Sequence, residues 1–143
     1  MSRQPNDIAV MHRHLAILLL FLLSHTTHAD EPLYLRCDCN WWQALPEYQM
    51  QQVGSANLYR TEIEIKNASF PINFKLVDVN YTPGSNFGYL NPTDRVITMG
   101  RVVKATADAV KENFEFMPPA PGIYQIFLDL DGKTPMVFIS KAI

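Results

Sequence analysis

The sequence predicts one all-β sandwich of about 7–8 strands behind a leader peptide. Three observations carry that expectation. An apolar run stands near the N-terminus, no helical period is sustained after it, and short apolar segments then alternate with turn residues. Residues 15–23 are all apolar, and His12, Arg13 and His14 stand just before them. A polar stretch follows and ends Thr27-His28-Ala29, whose small residues suit a signal peptidase cutting after Ala29. The run falls well short of the ~20 apolar residues that span a bilayer, so an uncleaved anchor is the weaker reading. Met11 heads a compact leader of its own and is an alternative start. The expectation is a signal peptide over residues 1–29 and a single domain over 30–143.

The strands are justified in order. Residues 33–37 form a first strand, with Leu33, Leu35 and Cys37 on one face. Residues 43–47 form a loop broken by Pro46, and 48–53 a second strand closed at Gly54. Residues 58–66 alternate most clearly. Tyr59, Thr61, Ile63 and Ile65 face one way and Arg60, Glu62 and Glu64 the other, as in a half-buried antiparallel strand. Pro71 opens a strand over 72–78, with Ile72, Phe74 and Leu76 inward and Asn73, Lys75 and Val77 outward. Residues 80–91 are rich in Pro, Gly, Ser and Asn and read as a loop carrying Tyr81, Phe87 and Tyr89. Further strands cover 95–99 and 113–117, and 105–110 is too short to be assigned as a helical turn. Residues 118–122 are a proline-stiffened connector. Residues 123–129 and 136–140 close a hairpin around Asp131-Gly132, a pair that favours positive φ. Strands at this spacing build an immunoglobulin-like sandwich.

Composition narrows the chemistry. All four histidines, His12, His14, His25 and His28, lie in the leader. The mature domain therefore lacks the usual general base, the Ser-His and Cys-His nucleophile pairs and the commonest zinc ligand. Loss of Arg3, Arg13 and Asp7 takes the 12 basic residues to 10 and the 14 acidic to 13. A mildly acidic surface does not attract phosphate backbones, which disfavours nucleic acid. Glu62 and Glu64 share one strand face, where a carboxylate pair is normally just the wet side and not a glycosidase dyad. No cofactor and no metal site is expected, because Cys37, Cys39 and one carboxylate are too few ligands.

The segment Tyr34-Leu35-Arg36-Cys37-Asp38-Cys39-Asn40-Trp41-Trp42 resembles the pattern Y-L-R-G-x-M-N-x-W. That pattern opens the glycogen- and starch-binding early-set domains of bacterial pullulanases and related α-glucan enzymes. In register with it, 57–61 resembles the family's G-x-Y strand and Phe74-Lys75-Leu76-Val77-Asp78 its F-K-[IV]-x-D. Asn86-Phe87-Gly88 resembles N-F-G, and 122–129 the closing G-x-Y-x-F-x-L-D. The resemblance implies an early-set sandwich that binds α-glucan without catalysis, and the leader peptide implies that it works in the periplasm or outside the cell. It implies ligand contacts from Trp42, Lys75 and Tyr81, with Trp41, Phe87 and Asn86 beside them. A sugar ring lays its apolar face on an aromatic plate and offers hydroxyls to polar groups at the rim. Lys75, outward on its strand, would donate to those hydroxyls.

The departures from the pattern carry information too. Cys37 and Cys39 replace its glycine and methionine, and Trp41 adds a second tryptophan. In an extended strand the two cysteines have Cα atoms ~7 Å apart, the outer limit for a disulfide. A local disulfide with a kink at Asp38, an intermolecular one, or two buried thiols all stay open, and export favours oxidation. Adjacent Trp41 and Trp42, if extended, point to opposite sides. Tyr81, Phe87 and Tyr89 form either a binding loop or a lid on the core. Tyr124 reads as structural, a buried ring whose hydroxyl bonds backbone. The leading function is α-glucan binding, with any glycoside hydrolase a separate exported partner. The alternative is an exported protein–protein interaction domain, or a hydrolase's accessory subunit, on the same sandwich without a sugar site. The mature chain is expected to begin at Asp30. N-terminal sequencing of exported protein checks this, and an uncleaved chain in the membrane fraction would count against it.

Overall fold

Alternating burial marks most strands of the computed structural model, which describes residues 31–143; the expected leader and its expected cleavage after Ala29 lie outside the described residues. Ten strands follow one another along the chain. They are β1 (Tyr34–Cys37), β2 (Gln51–Gln52), β3 (Leu58–Ile65), β4 (Ile72–Val77), β5 (Asn86–Tyr89), β6 (Val96–Ile97), β7 (Val103–Thr106), β8 (Phe114–Phe116), β9 (Gly122–Asp129) and β10 (Met136–Lys141). One layer runs β2-β3-β9-β10-β7. Strand β7 then hands over to β5, and the second layer continues through β4, β8 and β6, with β1 also paired to β4. Every pairing is antiparallel except β6 with β8. The all-β sandwich is as expected.

The inward rows of the longer strands fill the space between the layers. Strand β3 buries Thr61, Ile63 and Ile65 and exposes Arg60, Glu62 and Glu64, matching its alternation. Phe74 packs on Phe114 at 5.3 Å between ring centroids, and Phe116 meets Tyr124 edge-on at 5.3 Å. Tyr124 is fully buried and its hydroxyl donates to the Ala120 carbonyl, so the ring is structural. Offset and edge-to-face pairs of this kind add about 0.5–1.5 kcal/mol each beyond their buried area.

The strand count exceeds the expected 7–8 for identifiable reasons. The expected loop over 80–91 contains β5, because Phe87 opposes Leu76 and enters the core. Residues 105–110, left without an assignment by the sequence, begin within β7, whose Val103 and Ala105 alternate inward. Conversely, the expected strand over 48–53 shrinks to β2, because Pro46 starts a 3₁₀ turn that consumes Tyr48. At the β9–β10 hairpin Gly132 does not take positive φ. The strands stop at Asp129 and Met136, which leaves a wider loop than a two-residue turn.

Strand β4 departs furthest from expectation. Lys75 and Val77 do face away from the core, yet they are 4% and 0% exposed. Residues 107–113 cross that outer face. The Asn86 N–H donates to the Ala107 carbonyl at 3.0 Å, and the Ala109 N–H returns to the Asn86 carbonyl at 2.9 Å. Lys75 Nζ donates to the Val110 carbonyl at 2.8 Å. Gly88 lets the segment come this close, since a Cβ there would meet the Glu112 carbonyl and lie 2.8 Å from Ala109 Cβ. Gly88→Ala is expected to destabilise the fold by about 1–3 kcal/mol through this overlap. A urea melt checks it, and an unchanged midpoint would show that the crossing segment is not held here.

Candidate functional site

Two turns deliver the exposed aromatic residues. The first follows β1. The structure pairs Cys37 with Cys39, Cα atoms 5.0 Å apart, because a 3₁₀ turn over Asp38–Asn40 supplies the kink an extended strand lacks. Asn40 braces that turn. Its Oδ1 accepts from the Cys37 N–H at 3.0 Å, and its Nδ2 donates to the Leu35 carbonyl at 3.1 Å. The Trp42 N–H closes back on the Cys37 carbonyl at 2.8 Å. Closure costs strain, since Trp41 and Trp42 take φ of 56° and 58°, in the left-handed region. The segment is therefore not extended, and the opposite-sides expectation for the two rings does not apply. Trp41 is 86% exposed and Trp42 half-buried.

The second turn follows β4. Asp78 is 2% exposed, and its Oδ1 accepts from the Thr82 N–H at 2.9 Å. Burial pushes this carboxyl up, but the bonds from Thr82, helped by the amides of Asn80 and Tyr81, outweigh it and hold its pKa below the usual value. The turn places Tyr81 at φ 55° and leaves it 40% exposed. Beyond Tyr81 lies a recess of about 330 Å³ lined by Tyr81, Pro83, Asn86, Asp108, Ala109 and Val110. Asn86 is 6% exposed, and its Oδ1 accepts no hydrogen bond from the described residues. That oxygen is itself closed off from solvent, as is the equally unpaired Asp78 Oδ2, and each such buried acceptor costs the fold about 1–3 kcal/mol. A separate hollow of about 310 Å³ among Leu33, Met50, Tyr59, Phe87 and Leu130 has no such acceptor.

The residues singled out from sequence therefore part company. Trp42, Tyr81 and Trp41 are accessible at the two turns, and Asn86 lines the recess. Phe87 is a core residue at 5% exposure; it borders the separate hollow and is not part of the recess beside Tyr81. Lys75 is not the open outward lysine that was expected. Its amine is occupied by Val110, and burial lowers its pKa while Glu112 partly opposes the shift. Three contributors escaped the sequence reading. Arg36 looks like a solvated charge on an edge strand, but its Nε donates to the Trp42 carbonyl and its Cζ lies 4.1 Å from the centre of the Tyr81 ring. Asp108 and Val110 lie in a stretch to which the sequence assigns no element.

No family model matches the chain, and no curated protein matches it. A solved structure described as "Ligand induced structure of AmyP-SBD" superposes with a TM-score of 0.59, at 18% identity, over 80% of this chain and 74% of that one. The two share a fold.

Among the described residues, Trp41, Trp42 and Tyr81 are the non-glycine residues with positive φ. A bulky residue held there costs on the order of 1–2 kcal/mol, and such strain collects at functional sites. Trp41→Gly is expected to relieve it without disturbing the core. After the extra unfolded-state entropy of glycine, a gain of about 0.5–1 kcal/mol remains. Thermal melts check this. A Trp41→Gly protein no more stable than Trp41→Ala would show that the turn is unstrained.

Proposed function

We propose that this protein is an exported, non-catalytic module that binds α-glucan of the starch or glycogen type through the surface carrying Trp42, Tyr81 and Trp41, with Asn86 in the adjoining recess. One observation carries the reading. The strained non-glycine positions of the described chain are all aromatic, all accessible, and two of them match the residues that the early-set resemblance assigns to sugar contact. A chain that needed only to turn would place glycine or asparagine at such positions. Stacking on indole and phenol rings is the chemistry that the apolar face of a pyranose requires. AmyP-SBD, which shares the fold, is a starch-binding domain. The absence of histidine after residue 29 supports binding over acid–base catalysis.

Retention on insoluble starch and on glycogen tests the proposal. Wild-type protein is expected to be retained, and Trp42→Ala and Tyr81→Ala each to weaken binding on the order of tenfold, or 1.4 kcal/mol. Failure of the wild type to bind either polysaccharide would overturn the α-glucan assignment.

A further inference from the structure

We infer that Arg36 is the positioning residue of this surface: it joins the two aromatic turns into one rigid platform. The inference rests on the reading of Trp42 and Tyr81 as ligand contacts and deepens it. The turns are far apart in sequence, one at 37–42 and the other at 78–82. The Arg36 guanidinium reaches both. Its Nε donates to the Trp42 carbonyl, and its Nη1 donates to the carbonyls of Asp78 at 3.1 Å and Val79 at 2.9 Å. Its flat face lies against Tyr81, Cζ 4.1 Å from the ring centre. One side chain thus occupies three carbonyls and one face of an aromatic ring.

Only arginine has the geometry for this task. A planar fork of five donors can serve several carbonyls while its π-face stacks on a ring, whereas a lysine ammonium is a single point charge. The strand register leaves the task to Arg36. Lys75 sits directly opposite it on β4, but the Lys75 amine is committed to Val110. The consequence is preorganisation. Both aromatic turns are held in the bound geometry before a ligand arrives, and the guanidinium covers one face of Tyr81 so that a ligand stacks on the other. Rings that are already fixed lose little freedom on binding, which raises affinity without adding a contact.

The test compares Arg36→Met and Arg36→Lys with wild type in three measurements. These are affinity for a soluble linear α-glucan oligosaccharide, acrylamide quenching of the tryptophans without sugar, and amide exchange over 79–82. Both variants are expected to bind about tenfold more weakly, to be more readily quenched, and to exchange faster in the second turn. Arg36→Lys keeps the charge and is expected not to rescue affinity, which a merely electrostatic or structural role would allow. Wild-type affinity in either folded variant overturns the inference, and if Arg36→Met fails to fold, Arg36→Lys decides. If wild-type protein binds no glucan, the α-glucan reading fails by itself. Quenching and exchange still decide the role of Arg36, and values unchanged from wild type overturn it.

Discussion

Strand β4 is hydrogen-bonded on both edges and covered on both faces, and the rest of the molecule is arranged around that burial. Strand β1 takes one edge; β8 and β5 share the other. Phe74 and Leu76 project into the core, while Lys75 and Val77 project into the segment that crosses over from β7. A strand buried on both faces tolerates an ammonium group only if a partner meets it, and the Val110 carbonyl does so. The crossing segment depends in turn on Gly88, the one position on β5 where backbone can approach so closely. Both walls of the recess descend from this arrangement, since Asn86 comes from β5 and Asp108, Ala109 and Val110 come from the covering segment.

The turns at the two sides of β4 show how such a rigid centre supports strained periphery. Three aromatic residues occupy backbone conformations that L side chains avoid. They persist because each turn is closed by several bonds at once. Asn40 and the Cys37–Cys39 pair constrain the first, and Asp78 constrains the second. Asp78 stays ionised because hydrogen bonding outweighs its burial, so the second turn keeps a strong acceptor at its base. The cost of strain is met by the stability of the neighbouring core and not by the turns themselves.

Period-two alternation and punctuation by Pro and Gly made the sandwich legible from residues alone. The alternation of β3, the β9–β10 hairpin and the structural role of Tyr124 were all readable, because each rests on contacts between near neighbours or on a self-evident face. Misreadings fell where a long-range contact overrode the local signal. Asn86-Phe87-Gly88-Tyr89 has loop-like composition, yet it pairs with β4 because Phe87 fills the core. Lys75 occupies a face that alternation marks as outward, and only residues more than thirty positions away remove it from solvent. The spacing of Cys37 and Cys39 left several pairings open until the 3₁₀ turn brought their Cα atoms to 5.0 Å.

By itself the sequence determined that the domain is all-β, that its accessible chemistry lacks histidine beyond residue 29, and which aromatic residues to watch. These follow from side-chain identity and short-range periodicity, which need no folded context. The tertiary structure alone decided which of those aromatic residues reach the surface. Phe87 went to the core and Trp41, Trp42 and Tyr81 did not, because β4 brings β1 and β5 to its two edges and an arginine from β1 spans the turns beside them. Burial and bridging across many residues are properties of the packed chain, and no local window of sequence contains them.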